Sequence, residues 1–169
     1  MIISKEKVES IIKTLPISYY IKRGVKIELK DCATSYYDMM NDSIVISFNN
    51  LTEAAKNLSN EEDIEFAVRC LTYHEVSHAF LTPKRLNISN IMNVFEDERI
   101  ETICKKFYMN VDFKKFVKLL NNYHGQLPKD AFEGFYQLVR YRVGPQEFLD
   151  RVKKLIFKYA NIQNYEVLE

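Results

Sequence analysis

The sequence predicts an α+β domain, and three observations carry that prediction. A run of alternating apolar and polar residues lies between about positions 25 and 49, the pattern of a half-buried sheet. From residue 59 onward, apolar residues recur at helical spacing with few breakers. The chain has 169 residues, 47% of them hydrophobic, with 4 Gly and 4 Pro, which is enough to fill one core without cross-links or long linkers. The expected organisation is one domain over 1–169. It comprises an N-terminal helix and sheet (1–58), two central helices (59–109) and a helical C-terminal part (110–169).

The elements follow in order. Val8, Ile11, Ile12 and Leu15 share one helical face before Pro16, predicting a short amphipathic helix. Val25, Ile27 and Leu29 alternate with Lys26, Glu28 and Lys30, and Ile44, Ile46 and Phe48 alternate again after the turn-forming Asn41-Asp42. These runs predict a small antiparallel or mixed sheet. Ser59 with Glu62 forms a capping-box pattern, and no Gly or Pro follows until Pro83, so a helix of several turns is expected from about 60 to 82. Asn87, Ser89 and Asn90 offer N-caps for a second helix, about 90 to 108, containing Met92, Phe95, Ile100, Ile103 and Phe107. Three further helices are expected at Phe113 to Leu120, Lys129 to Arg142 and Pro145 to Ala160, separated by His124-Gly125 and Gly144-Pro145.

The first long helix contains Tyr73-His74-Glu75-Val76-Ser77-His78, a match to H-E-x-x-H. Residues four apart share a helical face, so His74 and His78 can reach one metal ion while Glu75 projects beside them. A zinc ion lowers the pKa of a water in its open position, and the neighbouring carboxylate can take that proton. Only 3 His occur in the chain and two stand here, mid-helix, where the chemistry needs them.

A catalytic zinc takes three protein ligands and keeps a position open, so a further ligand is expected on the next helix. Asn93-Val94-Phe95-Glu96-Asp97-Glu98-Arg99-Ile100-Glu101 holds four acids. On a wheel aligned to Met92, Phe95, Ile100, Ile103 and Phe107, Glu96 and Arg99 fall within the apolar stripe, Asp97 and Glu101 lie at its edge, and Glu98 points away. Glu96 is therefore the expected ligand, since a carboxylate in an apolar stripe needs a cation to offset its desolvation. Asp97 is the alternative if the helix is slightly out of phase. Arg99 is expected to pair with Glu96 or an oxyanion, and Asp97 or Glu101 to accept the free N–H of a ligating imidazole.

These residues resemble the gluzincins, zinc metallopeptidases with H-E-x-x-H on one helix and a glutamate ligand on the next. Between His78 and the candidate acid lie 17 residues for Glu96, 18 for Asp97 and 19 for Glu98, so spacing does not choose among them. More narrowly, N-V-F-E-D-E-R-I-E looks like the N-x-L-E-D-x-R-I-E segment of metallopeptidase-like domains found beside von Willebrand A modules in bacteria and free-standing in phages. The resemblance covers roughly residues 43 to 104. It implies a zincin-like fold, one zinc ion held by His74, His78 and Glu96, Glu75 as general base and acid, and peptide-bond hydrolysis. It also implies that Ile44 to Phe48 is the edge strand to which an extended peptide substrate adds.

An oxyanion donor should come from the C-terminal third, where His124, Tyr136, Tyr141 and Arg142 are the candidates. Lys153, Lys154 and Lys158 on the last helix face Val152, Leu155, Ile156 and Tyr159, with Glu147 and Asp150 close by, the pattern of an ordinary packed helix. Formal net charge is +1, so nothing global favours nucleic acid or an anionic membrane, and the expected partner is a peptide or protein substrate. Cys32, Cys70 and Cys104 read as free thiols of a reducing compartment. The N-terminal residues form neither a signal peptide nor a membrane span, so a cytoplasmic protein of a bacterium, or of a host cell if phage-encoded, is expected. Two rivals stand beside the peptidase: a zinc-stabilised binding or assembly protein without turnover, with the cleft plugged for example by the segment ending at Pro16, and a metal-free helical protein.

Overall fold

The computed structural model describes residues 3–17, 24–56, 58, 60–83, 89–106, 111–120, 130–140 and 150. The chain divides into two compact units, Met1–Tyr123 and His124–Glu169, and the boundary falls at the His124-Gly125 break.

The first unit opens with α1, Lys5–Thr14, capped by the Ser4 side chain accepting from the Lys7 backbone N–H. Three strands follow: β1 (Lys26–Lys30), β2 (Tyr36–Asp38) and β3 (Ser43–Ser47). The sheet is mixed, in the order β1-β3-β2, with β1 parallel to β3 and β2 antiparallel to it. β3 therefore lies in the centre, which corrects the expectation that Ile44 to Phe48 is an edge strand. The physical reason is burial on both faces, since Ser43, Ile44, Val45, Ile46 and Ser47 are all buried and not alternately so. The open edges belong to β1 and to β2, a strand too short to show periodicity. β2 turns back into β3 through a tight reversal in which Asp38 Oδ1 accepts from the backbone N–H groups of Met40 (3.0 Å) and Asn41 (3.1 Å). Asp42 adopts a left-handed φ of 50°, and the Tyr37 hydroxyl donates to its carboxylate.

At the end of β3 the chain does not run on to Phe48 as strand; it enters α2 (Phe48–Ala55), a helix the apolar alternation concealed. Ser47 makes the switch. Its hydroxyl donates to the Cys32 carbonyl at 2.6 Å and accepts from the Asn50 N–H at 3.1 Å, capping α2 while tying it to the loop after β1.

The long helix α3 spans Glu61–Leu81. Its cap is Asn60, accepting from the Asp63 N–H at 2.8 Å, rather than Ser59, which lies outside the described residues. From Ile64 onward most positions are buried, because α1, α2, β2, β3 and the next two helices all pack against it. The Lys7–Glu61 ion pair (3.7 Å) sets α1 at the N-terminal end of α3, roughly 20 Å of helix before His74. α4 (Asn90–Cys104) is capped by the Ser89 side chain accepting from Met92 N, and α5 (Phe113–Leu120) follows.

The second unit contains α6, Ala131–Arg140, which starts where Asp130 Oδ1 accepts from the Glu133 N–H at 2.7 Å. Of the expected helix from Pro145 to Ala160 only Asp150 is described, and it is helical; the lysines lie outside the described residues. Among the described residues no helix is long and apolar enough to cross a membrane.

Candidate metal centre

The H-E-x-x-H residues sit in the last two turns of α3, facing α4 across the first unit. As the four-residue spacing requires, the imidazoles of His74 and His78 are neighbours, with ring centroids 4.8 Å apart and planes at 81°. Both are largely enclosed, their side chains 13% exposed.

Each ring has one nitrogen committed to a neighbour. His74 Nδ1 lies 3.0 Å from Glu101 Oε1, and since an ionised carboxylate only accepts, Nδ1–H is the donor. His78 Nδ1 lies 2.8 Å from the Thr82 hydroxyl. The two Nε2 atoms then converge on one oxygen, Asp97 Oδ1, at 3.7 Å from His74 and 3.2 Å from His78.

His74, His78 and Asp97 thus form a buried group whose ligand atoms lie within 4.8 Å of one another and that could hold a metal ion. The two contacts to Asp97 have the spacing of donor atoms around one small ion. Around a tetrahedral zinc with donors at about 2.0–2.1 Å, neighbouring donor atoms stand roughly 3.3 Å apart, and the two Nε2–Asp97 distances bracket that value. The charge balance fits as well, since Glu75, Asp97 and Glu101 crowd three buried carboxyl groups around the imidazoles, an excess of acid that a cation would offset.

The structure distributes the expected acids differently from the helical wheel. Asp97 faces both imidazoles, while Glu96 is one turn from Arg99 and held by it in a two-pronged pair, Nε to Oε2 at 2.7 Å and Nη2 to Oε1 at 2.6 Å. Arg99 also donates to the Leu81 carbonyl at 2.5 Å. The reason is the phase of α4. Its inward residues are Val94, Glu96, Asp97, Ile100, Glu101 and Cys104, whereas Ile91, Met92 and Phe95 are about half exposed, so two of the residues used to align the wheel point outward. Arg99 pairs with Glu96, one of the two partners expected for it, and of Asp97 and Glu101 it is Glu101 that accepts from His74. Glu98 is only partly buried.

Electrostatics follow this packing. Burial alone would lower the His74 pKa, but the Glu101 hydrogen bond and the charges of Glu75, Asp97 and Glu101 outweigh it and take it up to about 9. Burial raises the Glu75 carboxyl above its usual range, against the opposing pull of His74 and His78. Hydrogen bonding from Arg99 holds Glu96 low, helped by the Thr82 hydroxyl.

Comparison with family models, curated proteins and solved structures gives no match to this chain. The gluzincin resemblance therefore rests on the motif residues alone.

Thr82 is the residue the sequence reading missed. Its signal was there: it stands four residues after His78, on the same face of the helix. Phe113 of α5 packs edge-on against His74 at 6.3 Å and closes that side. Of the oxyanion-donor candidates, Tyr136 lies on α6 in the second unit, and His124, Tyr141 and Arg142 are outside the described residues. Cys70 and Cys104 are buried free thiols whose pKa values burial pushes up to about 12 and about 11. Cys32 is free and partly exposed.

Proposed function

We propose that this chain is a zinc-dependent metallopeptidase with a zincin-like arrangement, in which His74, His78 and Asp97 hold the ion and Glu75 moves the proton. The observation that carries the reading is the convergence of both Nε2 atoms on Asp97 Oδ1, next to the buried carboxyl of Glu75 on the same helix.

When bound, zinc supplies a Lewis acid that polarises a carbonyl and activates a water. Glu75 then accepts one proton from the attacking water as the new C–O bond forms, and passes it to the amide nitrogen as the C–N bond breaks. Its raised pKa suits that exchange, because burial makes the carboxylate a stronger base than an exposed one. Glu101 keeps the His74 ring turned so that Nε2 faces Asp97. An extended peptide would add at the edge of the sheet nearest α3, which is β2 and not β3.

A second reading, a metal-stabilised binding protein without turnover, draws on the same burial: the ligating side chains are only 12–13% exposed and Glu75 is 4% exposed. The test is elemental analysis of untagged protein followed by cleavage of a peptide library. Near one zinc per chain, with cleavage that Glu75→Gln reduces by roughly 10²–10⁴-fold while keeping its zinc, is the expected result. Zinc without cleavage selects the binding protein, and no metal after zinc addition removes both.

A further inference from the structure

We propose that the outer edge of β1 is a self-association surface, at which two copies of this chain pair their β1 strands antiparallel about a two-fold axis at Ile27 and join their sheets into one. This pairing is independent of the metal reading.

β1 has β3 on one side and, among the described residues, no strand on the other, so its outward N–H and C=O groups can take a further strand. A groove of about 690 Å³ runs along that side. Successive residues of a strand point to opposite faces, so a pocket on one face of a sheet touches every second residue. This groove is lined by residues 24–29 without a gap, which places it along the edge, and Ile12, Leu15 and Ile17, from α1 and the residues after it, add apolar lining. Along the strand itself Ile27, Glu28 and Leu29 are only partly buried.

The charges of β1 choose the occupant and its register. Lys26, Glu28 and Lys30 form one row of side chains, and Val25, Ile27 and Leu29 form the other. A two-fold axis normal to the sheet keeps each row beside its own kind. With the axis at Ile27, Lys26 stands opposite the second copy's Glu28 and Glu28 opposite its Lys26, while Val25 meets Leu29 and Ile27 meets Ile27. Opposite charges and apolar pairs directly across two strands stabilise, and like charges destabilise. Moving the axis to Glu28 sets Lys26 against Lys30 and Glu28 against itself, and moving it to Leu29 sets Ile27 against Asp31. The Ile27 register joins two opposite-charge pairs to an unbroken apolar row. Glu28 already holds Lys30 of its own chain at 2.5 Å, so in the pair it lies between two lysines. Lys30 falls opposite Gly24, where φ is 83° and a Cβ would meet nothing within 4 Å, so its stem has open space. β2 is the other edge of the sheet and stays free.

The experiment measures the monomer–dimer equilibrium of the full chain by analytical ultracentrifugation, from about 1 μM to about 1 mM, the span expected of an interface below the standard size. Wild type should dimerise within that span. Lys26→Glu and Glu28→Lys each turn both charge pairs into like-charge contacts, and each should weaken self-association by roughly tenfold or more. Mixed in equal amounts, the two variants should associate with each other within about threefold of wild type, and the double variant Lys26→Glu/Glu28→Lys should do the same with itself. If one single variant does not fold, as judged by circular dichroism, the other and the double variant still decide the matter. Wild type that stays monomeric throughout overturns the proposal. So does a dimer that neither single variant weakens, because its interface lies elsewhere. Single variants that are weakened but rescued neither by mixing nor by the double exchange overturn the Ile27 register. Zinc content enters none of these outcomes, so loss of the metal reading leaves the pairing standing, and loss of the pairing leaves the metal reading untouched.

Discussion

The two helices that face each other across the centre obey different rules. On α3 the spacing of the motif sets the geometry within one element, and His74 and His78 come together as any residues at i and i+4 must. On α4 the partner acids come from a face chosen by packing against α3, and that face is not the one with the largest apolar side chains. Ile91, Met92 and Phe95 stand about half exposed while Glu96, Asp97 and Glu101 are buried. Where a helix supplies charge to a buried site, acids and apolar residues share the inner face, and an apolar stripe no longer marks its direction.

The sharpest way to break this comparison is to remove the two adjacent acids one at a time. Asp97→Ala should abolish stoichiometric zinc uptake, losing more than about 100-fold in affinity, beyond what supporting residues contribute. Glu96→Ala should keep the zinc and lose only on the scale of a supporting residue. Equilibrium dialysis with elemental analysis reads both, and a reversal of their order would restore Glu96 as the ligand.

A smaller effect comes from protons. In the metal-free protein the His74 pKa is raised to about 9 from the ordinary imidazole value of 6.5. Charged His74 therefore contributes stability that is fully present below about pH 6.5 and is lost as pH rises through about 9. A metal needs the neutral ring, so zinc affinity should move the other way, rising by roughly tenfold per pH unit across that window and levelling off above it. Denaturant melts of metal-free protein and zinc titrations in buffers of different ionisation enthalpy measure the two slopes. Glu101→Gln should flatten both.

The smallest effect tests the phase of α4 by stability alone. Ile100 is fully buried, and Ile100→Ala should cost about 2–5 kcal/mol. Ile91 is 52% exposed, and Ile91→Ala should stay within about 0.5 kcal/mol. Similar losses at both positions would mean that the helix is turned differently.

These contrasts also show what the sequence could convey. α1, α3, α4 and α5 were legible from apolar spacing and caps, and His74, Glu75 and His78 from a spacing that has a mechanism. For Arg99 and Glu101 the sequence left alternatives open, and the packing of α4 on α3 brings Arg99 to Glu96 and Glu101 to His74. What escaped depended on distant partners. β3 occupies the centre of the sheet because a three-residue strand crosses to its far side, and α2 begins where Ser47 bonds to Cys32, fifteen residues earlier. Asp97 could be preferred to Glu96 only once Arg99 was seen to engage the latter. Thr82 carried a signal, its i+4 relation to His78, but a hydroxyl at a helix end has too many ordinary uses to stand out.

The placement of the histidines near the carboxyl end of α3 has a consequence that involves no side chain. Over the 21 residues of this helix the peptide dipoles add, and Glu61, Glu62 and Asp63 in its first turn complement the positive pole. The negative pole falls at the last turn, which begins at His78 and ends at Leu81, whose carbonyl already draws the Arg99 guanidinium. Backbone oriented in this way favours positive charge by about 0.3–1 kcal/mol, and by up to about 2 kcal/mol where partly buried. The field that makes this end of the helix hospitable to a cation is therefore set by where the helix stops, and an extension of α3 past Thr82 would carry that pole away from the imidazoles.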